Sequence, residues 1–302
     1  MDARALETLR TVRSQGGVTA AARVLHLTPS AVSQQVAQLE RQVGAALTER
    51  VGRGLRLTAA GEALADAAVD VAVALERARA AVEALRDEPT GTVRVSAFAS
   101  GAQLLLPGLL ERAEHLPGVV VECSDDDVAL DAFVALTDEI DVVVAHRPDE
   151  PATTAAGWGG GVVVRPLLRE PLDVAVAPGH ALAGAPHVAP HELVDQDWIA
   201  VREGFPVATV LAAVGERAGG AVRVRHRIND FHVAAALVGA GHGISLLPRW
   251  TFGADPRVRL VPLADVRAGR YVDALVRPDK AERLVVRRVL DELEALAQEI
   301  TG

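Results

Sequence analysis

Residues 18–56 constrain the fold of this chain more than any other stretch. Thr28 and Pro29 stand between two segments of helical pattern. Threonine is a favourable N-cap, and proline is tolerated at the first helical position because the N–H that it lacks would have no partner there. The sequence therefore predicts a helix that begins at Pro29, preceded by a tight turn and by a compact, alanine-rich helix over 19–25.

The predicted second helix has an apolar face and a polar face. Aliphatic residues recur at helical spacing and predict a buried stripe of Val32, Val36, Leu39 and Val43. The other face carries small hydroxyl and amide side chains, which are suited to base edges and phosphate oxygens in a major groove. We therefore predict DNA contacts from Thr28, Pro29, Ser30, Ser33, Gln34 and Gln38.

The segment after this helix contains two glycines, which allow a hairpin tip, and three regularly spaced arginines. We expect Arg50, Arg53 and Arg56 to contact phosphates from a basic wing. A glycine-arginine hairpin is more often a solvated turn, and short helical pairs occur in many proteins that never bind nucleic acid. The order and spacing of the features together favour a winged helix-turn-helix domain over 1–58.

Charge is distributed unevenly along the chain. Residues 1–58 contain eight arginines and four acidic residues, whereas the whole chain has a net charge of −9. Basic charge is therefore concentrated on the segment with the predicted DNA contacts. The first residues lack an apolar segment of signal-peptide length, and no run of 18 uncharged apolar residues occurs, so we expect a cytoplasmic protein.

A long helical pattern over 59–88 carries a narrow apolar seam. Its residues alternate four and three apart, as in a coiled coil, and a single helix cannot bury such a seam alone. We therefore predict a dimerisation helix that sets two recognition helices on one face of a duplex. The alternative is that the stripe packs on the chain's own core. The seam consists of Leu64, Ala68, Val71, Leu75, Ala78, Val82 and Leu85.

From Thr92 onward, apolar strands alternate with helical stretches, which predicts an α/β fold with a parallel sheet. A glycine-rich joint at 155–161 separates two such runs, and 162–168 and 172–177 are expected to be separate strands. We predict two lobes with the chain crossing between them twice. Lobe I is expected to comprise 91–161 and 268–302, and lobe II 162–267.

A crevice between two such lobes lies at the carboxyl ends of strands, where helix N-termini present free N–H groups. Polar residues follow several of the predicted strands, and they suit a small polar or anionic ligand without a cofactor. The candidate ligand-binding residues include Ser100, Gln103, Asp127, Val128, Phe205 and Asn229.

The N-terminal pattern resembles that of the LysR-type transcriptional regulators. The resemblance is carried by Ala21, Ala22, Leu25, 27–36, Leu39, Glu40, Gly44, Leu47, Arg50, Leu57, Thr58, Ala60 and Gly61. It is weaker in the remainder, where Ser100, Val128, Phe205 and Asn229 are similar to family positions around the effector cleft.

The resemblance implies a winged helix-turn-helix, a linker helix and a two-lobed α/β effector domain of the periplasmic-binding-protein type. It also implies a sequence-specific regulator whose promoter binding responds to a small molecule, with DNA, RNA polymerase and further copies of the chain, as a dimer or tetramer, for partners. Thr48 stands where the family usually has phenylalanine, and Gln34 where many members have arginine. The second difference bears on which DNA sequence is bound.

Other chemistry finds little support in the sequence. His180, His187 and His191 could bind zinc, but their spacing in a Pro/Gly/Ala loop favours solvated histidines. No catalytic set is evident, although an enzyme or ligand-binding module with an accessory DNA-binding domain is the alternative function. The single cysteine, Cys123, lies in an apolar run and is expected to be a buried core thiol.

Overall fold

The computed structural model describes residues 1–52, 54–85, 89–149, 155–159, 161–203 and 205–302. The predicted Arg53, the last residues of the predicted linker over 59–88 and part of the joint at 155–161 lie outside this description. Among the described residues, no helix is long and apolar enough to cross a membrane.

The N-terminal domain is a helix-turn-helix followed by a two-stranded hairpin. Thr28 caps the second helix of the motif, because its Oγ1 accepts a hydrogen bond of 3.1 Å from the backbone N–H of Ala31. The predicted start at Pro29 is therefore confirmed. The elements are α1 (Ala3–Ser14), α2 (Val18–Val24), α3 (Pro29–Val43), β1 (Thr48–Val51) and β2 (Gly54–Leu57).

The core of this domain is built from the apolar stripes of its helices. Val32, Val36 and Leu39 of α3 are buried, as predicted. The prediction for Val43 was wrong, because this side chain is 40% exposed at the end of α3, beyond the packed turns. Gly44 ends the helix in the left-handed conformation, with a φ of 75°.

Helix α4 (Ala59–Glu83) leads away from the N-terminal domain. Its first turns are packed on that domain through Gly61, Ala65 and Ala68. The rest of the seam is not covered by the chain's own core. For that part of the helix, the alternative that the stripe packs on this core is therefore excluded. Val71, Leu75, Val82 and Leu85 are 40%, 46%, 60% and 86% exposed.

The remaining chain forms the predicted α/β fold. Its strands are β3 (Gly91–Ala97), β4 (Val119–Asp125), β5 (Val142–Pro148), β6 (Val163–Val176), β7 (Asp197–Ala200), β8 (Arg223–Arg227), β9 (Ser245–Pro248), β10 (Arg259–Val261) and β11 (Gly269–Val276). Its helices are α5 (Ala99–Ala113), α6 (Phe133–Leu136), α7 (Pro206–Ala218), α8 (Phe231–Gly239), α9 (Arg249–Phe252) and α10 (Leu284–Thr301).

The main sheet has the order β10-β6-β11-β5-β3-β4, with β9 also paired to β6. β3 is parallel to β4 and β5, whereas β11 is antiparallel to β5 and β6. The sheet is therefore mixed, and the prediction of a parallel sheet holds only for its first strands. β7 and β8 form a separate parallel pair, which a bridge from Trp198 to Ile244 joins to the start of β9.

Strand β6 joins the two halves of this domain. Its residues 163–171 pair with β11, and residues 172–176 pair with β9 and β10. The expectation of two separate strands was therefore wrong, because residues 169–171 continue the ladder with β11, and the charges of Arg169 and Glu170 are paired with Asp149 and Arg270. The lobe boundaries stay a prediction, and this pairing favours a crossing near Pro171 over one at 161/162.

Cys123 is exposed, so the prediction of a buried thiol was also wrong. The reason is its strand: β4 is the last strand in the sheet order, and much of its surface faces solvent. An apolar run on an edge strand does not imply burial of every residue.

Candidate functional site

The predicted recognition face of α3 is open to solvent. Thr28, Pro29, Ser30, Ser33, Gln34 and Gln38 are all exposed. Gln35 behaves differently, because its side chain turns inward and accepts a hydrogen bond from the Thr8 hydroxyl of α1. The exposed set is therefore free to meet a DNA groove, while its neighbour helps to hold α1 and α3 together.

The wing, residues 48–57, presents its arginines on opposite faces. Arg50 pairs across the hairpin with Leu55, and Arg56 pairs with Glu49. Because directly opposed residues share a face and successive residues alternate, Arg50 and Arg56 project to different sides. Both are exposed. A hairpin of this kind can offer one cation to each side of a groove.

Glu40 is a residue of this domain whose role the sequence analysis missed. Its Oε1 accepts hydrogen bonds from the backbone N–H groups of Leu47, at 2.9 Å, and Thr48, at 3.1 Å. The Thr48 hydroxyl donates to the same oxygen at 3.2 Å. One carboxylate thus ties the start of the wing to α3. The sequence signal that could have identified Glu40 was its position as an acidic residue on a helix face that has almost no other acid.

A cavity of about 340 Å³ lies between the two lobes. Of the predicted ligand-binding residues, Ser100, Gln103, Asp127, Phe205 and Asn229 line it. Val128 does not line it and packs instead against the core of lobe I. The structure therefore brings together residues that are more than 120 positions apart in sequence.

Arg270 and Glu170 form a buried ion pair beside this cavity, and the sequence analysis did not anticipate it. Arg270 Nε donates to Glu170 Oε2 at 2.8 Å, and the two side chains are 2% and 1% exposed. Arg270 also donates to Ser100 Oγ at 2.7 Å, and Glu170 accepts from the Thr251 hydroxyl at 3.1 Å. The pair connects β11 and β6, the strand that joins the two lobes, to α5 and α9.

His146 at the floor of the cavity is the other residue that was missed. Its ring lies between Phe98 and Phe133, with centroid distances of 4.5 and 5.6 Å. Burial, assisted by the positive charge of Arg270, holds the pKa of His146 well below its ordinary value, so the imidazole is neutral. Its buried Nδ1 has no hydrogen-bond partner among the described residues.

A contact between the lobes lies at the cavity. His232 Nε2 of α8 lies 2.8 Å from Gln103 Oε1 of α5. On the lobe II side, Asn229 Oδ1 accepts from the backbone N–H of Arg202 at 2.8 Å, and Asp230 caps α8. On the lobe I side, burial raises the pKa of the Asp127 carboxyl. The positive charge of Arg270 partly offsets this increase.

A polar interface connects α1 of the N-terminal domain to lobe I. Arg10 Nη1 donates to Asp138 Oδ1 at 2.9 Å, and Gln15 donates to Asp138 Oδ2 at 2.8 Å. Burial alone would raise the pKa of Asp138, but Arg10 and these hydrogen bonds hold it below its ordinary value. Arg277 reaches back to Glu7 at 3.1 Å. The orientation of α1 is therefore tied to the domain that contains the cavity.

The histidines that were considered as metal ligands form no metal site within the described ranges. No group of three or more His, Cys, Asp or Glu side chains there could hold an ion. His180 lies 3.3 Å from the Gln196 side chain, and His187 is exposed.

Two family models match this chain. One, described as "Bacterial regulatory helix-turn-helix protein, lysR family", matches residues 3–62, and the other, "LysR substrate binding domain", matches residues 86–298. Among curated relatives, a RuBisCO operon transcriptional regulator of Acidithiobacillus ferrooxidans is 29% identical over 251 residues, which is 82% of this chain and 77% of that protein.

The fold has known counterparts. Full-length OxyR from Pseudomonas aeruginosa superimposes with a TM-score of 0.65 at 19% identity, covering 97% of this chain and 94% of that one. Full-length CbnR complexed with its target DNA gives a TM-score of 0.55 at 22% identity, covering 98% and 100%. With both family models matched in order along its length, the chain belongs to the LysR family of transcriptional regulators, with a DNA-binding helix-turn-helix domain followed by an effector-binding domain.

Proposed function

We propose that this regulator binds promoter DNA through residues 1–58, pairs through the helix over 59–88, and senses a small molecule in the inter-lobe cavity. The observation that carries this proposal is the cavity itself, lined by both lobes and bridged by the contact of Gln103 with His232. Ser100, Gln103, Asp127, Phe205 and Asn229 would contact the effector. The protein would act in the cytoplasm without catalysis, with RNA polymerase as a further partner.

The mechanism is a population shift between two lobe geometries. A ligand that bridges the lobes stabilises the closed geometry, and it can shift the equilibrium only by its difference in affinity for the two states. Movement of lobe I reaches the DNA-binding domain through Asp138, which holds Arg10 and Gln15 of α1. In a dimer, a change in this contact alters the spacing of the two recognition helices.

Fluorescence polarisation with the promoter region beside the protein's own gene tests this function. We expect specific binding that weakens with salt and changes when one fraction of a metabolite pool is added. Specific binding with no response to any fraction would contradict the sensory part of the proposal. Absence of specific binding would favour the alternative, a ligand-binding module with an accessory DNA-binding domain.

Replacing Arg50 or Arg56 with alanine should weaken DNA binding about equally on all sequences. Each neutralised phosphate contributes about one unit to the slope of log affinity against log salt. Because the two arginines project to opposite faces of the wing, we expect them to contact different strands and to act additively. The double variant should therefore lose about two units of slope, measured by the same polarisation titration at several salt concentrations.

The matched control is Arg94→Ala, which removes an exposed arginine of β3 that forms an ion pair with Glu122, at 3.4 Å. It should leave the salt slope unchanged. A double wing variant with the slope of the unmodified protein would exclude both arginines from the DNA interface.

Replacing Leu75 and Val82 with glutamate should convert the dimer to monomers. Both side chains are largely exposed in a single chain, 46% and 60%, and sit on the heptad seam. Burying such a side chain contributes about 1.5–3 kcal/mol, and a two-fold interface counts each position twice. The dimer dissociation constant should therefore rise by at least about 100-fold for either single variant.

Analytical ultracentrifugation over a concentration series measures this constant. Ala84→Glu adds the same charge at an exposed position off the seam and serves as the control. Dimers that persist in the doubly substituted protein would show that another surface holds the subunits together. A tetramer, which we also propose, would appear as a second association step.

A further inference from the structure

Aromatic side chains are concentrated at the inter-lobe cavity. The chain has five phenylalanines, and four of them, Phe98, Phe205, Phe231 and Phe252, line this one cavity. Aromatic residues make up only 3% of the sequence, and most buried core residues elsewhere are Ala, Val and Leu. Phe98 and Phe252 are 1% exposed, whereas Phe205 and Phe231 are half-buried and offer flat apolar surface, which suits a ligand with a ring of its own.

One buried polar atom at the cavity lacks a hydrogen-bond partner among the described residues. His146 is 5% exposed, and its Nδ1 makes no hydrogen bond to the described residues. An unsatisfied buried polar atom costs about 1–3 kcal/mol, so native structures rarely keep one without a reason. A neutral imidazole can donate one hydrogen bond and accept another. Nδ1 takes one of these roles, which depends on the tautomer, and a ligand hydroxyl can pair with it in either case.

The charges around the cavity oppose an anionic ligand. The Arg270 guanidinium is already balanced by Glu170, at 2.8 Å. Asp127 and Asp230 also line the cavity and contribute carboxylates. A ligand cation is opposed as well, because Arg270 already stacks over Phe98, at 4.5 Å, and lies 5.9 Å from the Phe231 centroid. An uncharged ligand avoids both repulsions.

The size of the cavity limits the ligand further. Its volume of about 340 Å³ is near the lower end of the range for small-molecule sites, about 300–1,000 Å³. A dry cavity of about 150 Å³ in another protein takes benzene. One substituted ring therefore fits here.

We propose that the effector is an uncharged molecule with a single hydroxyl-bearing aromatic ring, which packs among the cavity phenylalanines and hydrogen-bonds to His146 once a small rotation of the imidazole turns its buried Nδ1 toward the cavity. This inference rests on the proposed function, since it specifies the ligand of the same cavity. It identifies His146 as a residue that determines which ligand binds, a position that the sequence analysis did not select.

Isothermal titration calorimetry of the full-length protein with phenol, benzoate and cyclohexanol tests the ligand class. Benzoate adds the charge that the cavity opposes, and cyclohexanol keeps the hydroxyl but removes the aromatic ring. We expect phenol to bind at least about 10-fold more tightly than benzoate, and several-fold more tightly than cyclohexanol. Benzoate binding as tightly as phenol would overturn the assignment of an uncharged ligand.

His146→Leu tests the polar contact. The variant should lower the affinity for phenol about 10-fold and leave the affinity for toluene unchanged, because only phenol has a hydroxyl to lose. Its unfolding temperature without ligand should not fall, since the substitution removes an unpartnered polar atom. The control is His187→Leu, which changes an exposed histidine away from the cavity. An unchanged ratio of phenol to toluene affinity would overturn the role of His146.

The promoter titration separates this inference from the proposed function. If a metabolite fraction without ring compounds alters promoter binding and the calorimetric probes do not bind, the assignment of an aromatic ligand is wrong. The proposed function as an effector-responsive regulator is then retained. If phenol binds with the expected selectivity, and its affinity falls about 10-fold in His146→Leu, the ligand class is supported even where promoter binding does not respond.

Discussion

Replacing Glu170 with leucine should lower the free energy of unfolding of the effector domain by about 3–5 kcal/mol. The carboxylate is 1% exposed and balances Arg270, which is 2% exposed. It also accepts the Thr251 hydroxyl. Without Glu170, a buried guanidinium keeps its charge and loses its partner, so the loss exceeds the contribution of the hydrogen bonds alone.

Tryptophan fluorescence during urea unfolding reports on this domain alone, because Trp158, Trp198 and Trp250, the only tryptophans, all follow residue 91. Glu111→Leu, an exposed position on α5, is the control and should change stability by less than about 0.5 kcal/mol.

Replacing both partners, Glu170 with leucine and Arg270 with methionine, should recover most of the loss, since no charge is then left buried. A single Glu170→Leu variant as stable as the unmodified protein would mean that water or a rearranged side chain compensates Arg270. The pair would then not hold β6 and β11 together.

Replacing Gly61 with alanine should destabilise the N-terminal domain by about 3 kcal/mol and reduce promoter affinity at least about 10-fold. A Cβ at this position in the first turn of α4 would lie 2.1 Å from the backbone oxygen of Leu47. That oxygen accepts the N–H of Thr58, at 3.0 Å, while Leu47 N–H donates to Glu40. Relief of the clash must therefore move the base of the wing relative to α3.

The two domains can be observed separately in this variant. Promoter affinity should fall, and the helical circular dichroism should be lost at a lower urea concentration. The tryptophan transition of the effector domain should be unchanged. Gly184→Ala is the matched control, because a Cβ at Gly184 meets nothing within 4 Å. Promoter binding as tight as that of the unmodified protein would show that the wing tolerates the displacement.

The sequence by itself determined the features that depend on neighbouring residues. Thr28 and Pro29 set the start of α3 because a cap and a fixed φ act locally. The heptad seam of α4 was evident because helical period is local too, and its exposure agrees with a helix that lacks a partner within one chain. Ends of predicted strands also indicated five residues that do line the cavity.

Only the tertiary structure decided which distant residues meet. Glu170 and Arg270 are 100 positions apart, and nothing local to either marks it as half of a buried pair. His146 was hidden in an apolar strand, Cys123 was exposed by the edge position of β4, and β6 proved to be one strand. Burial, ion pairing and strand order depend on the whole packed chain, because each residue's solvent and partners are supplied by segments remote in sequence.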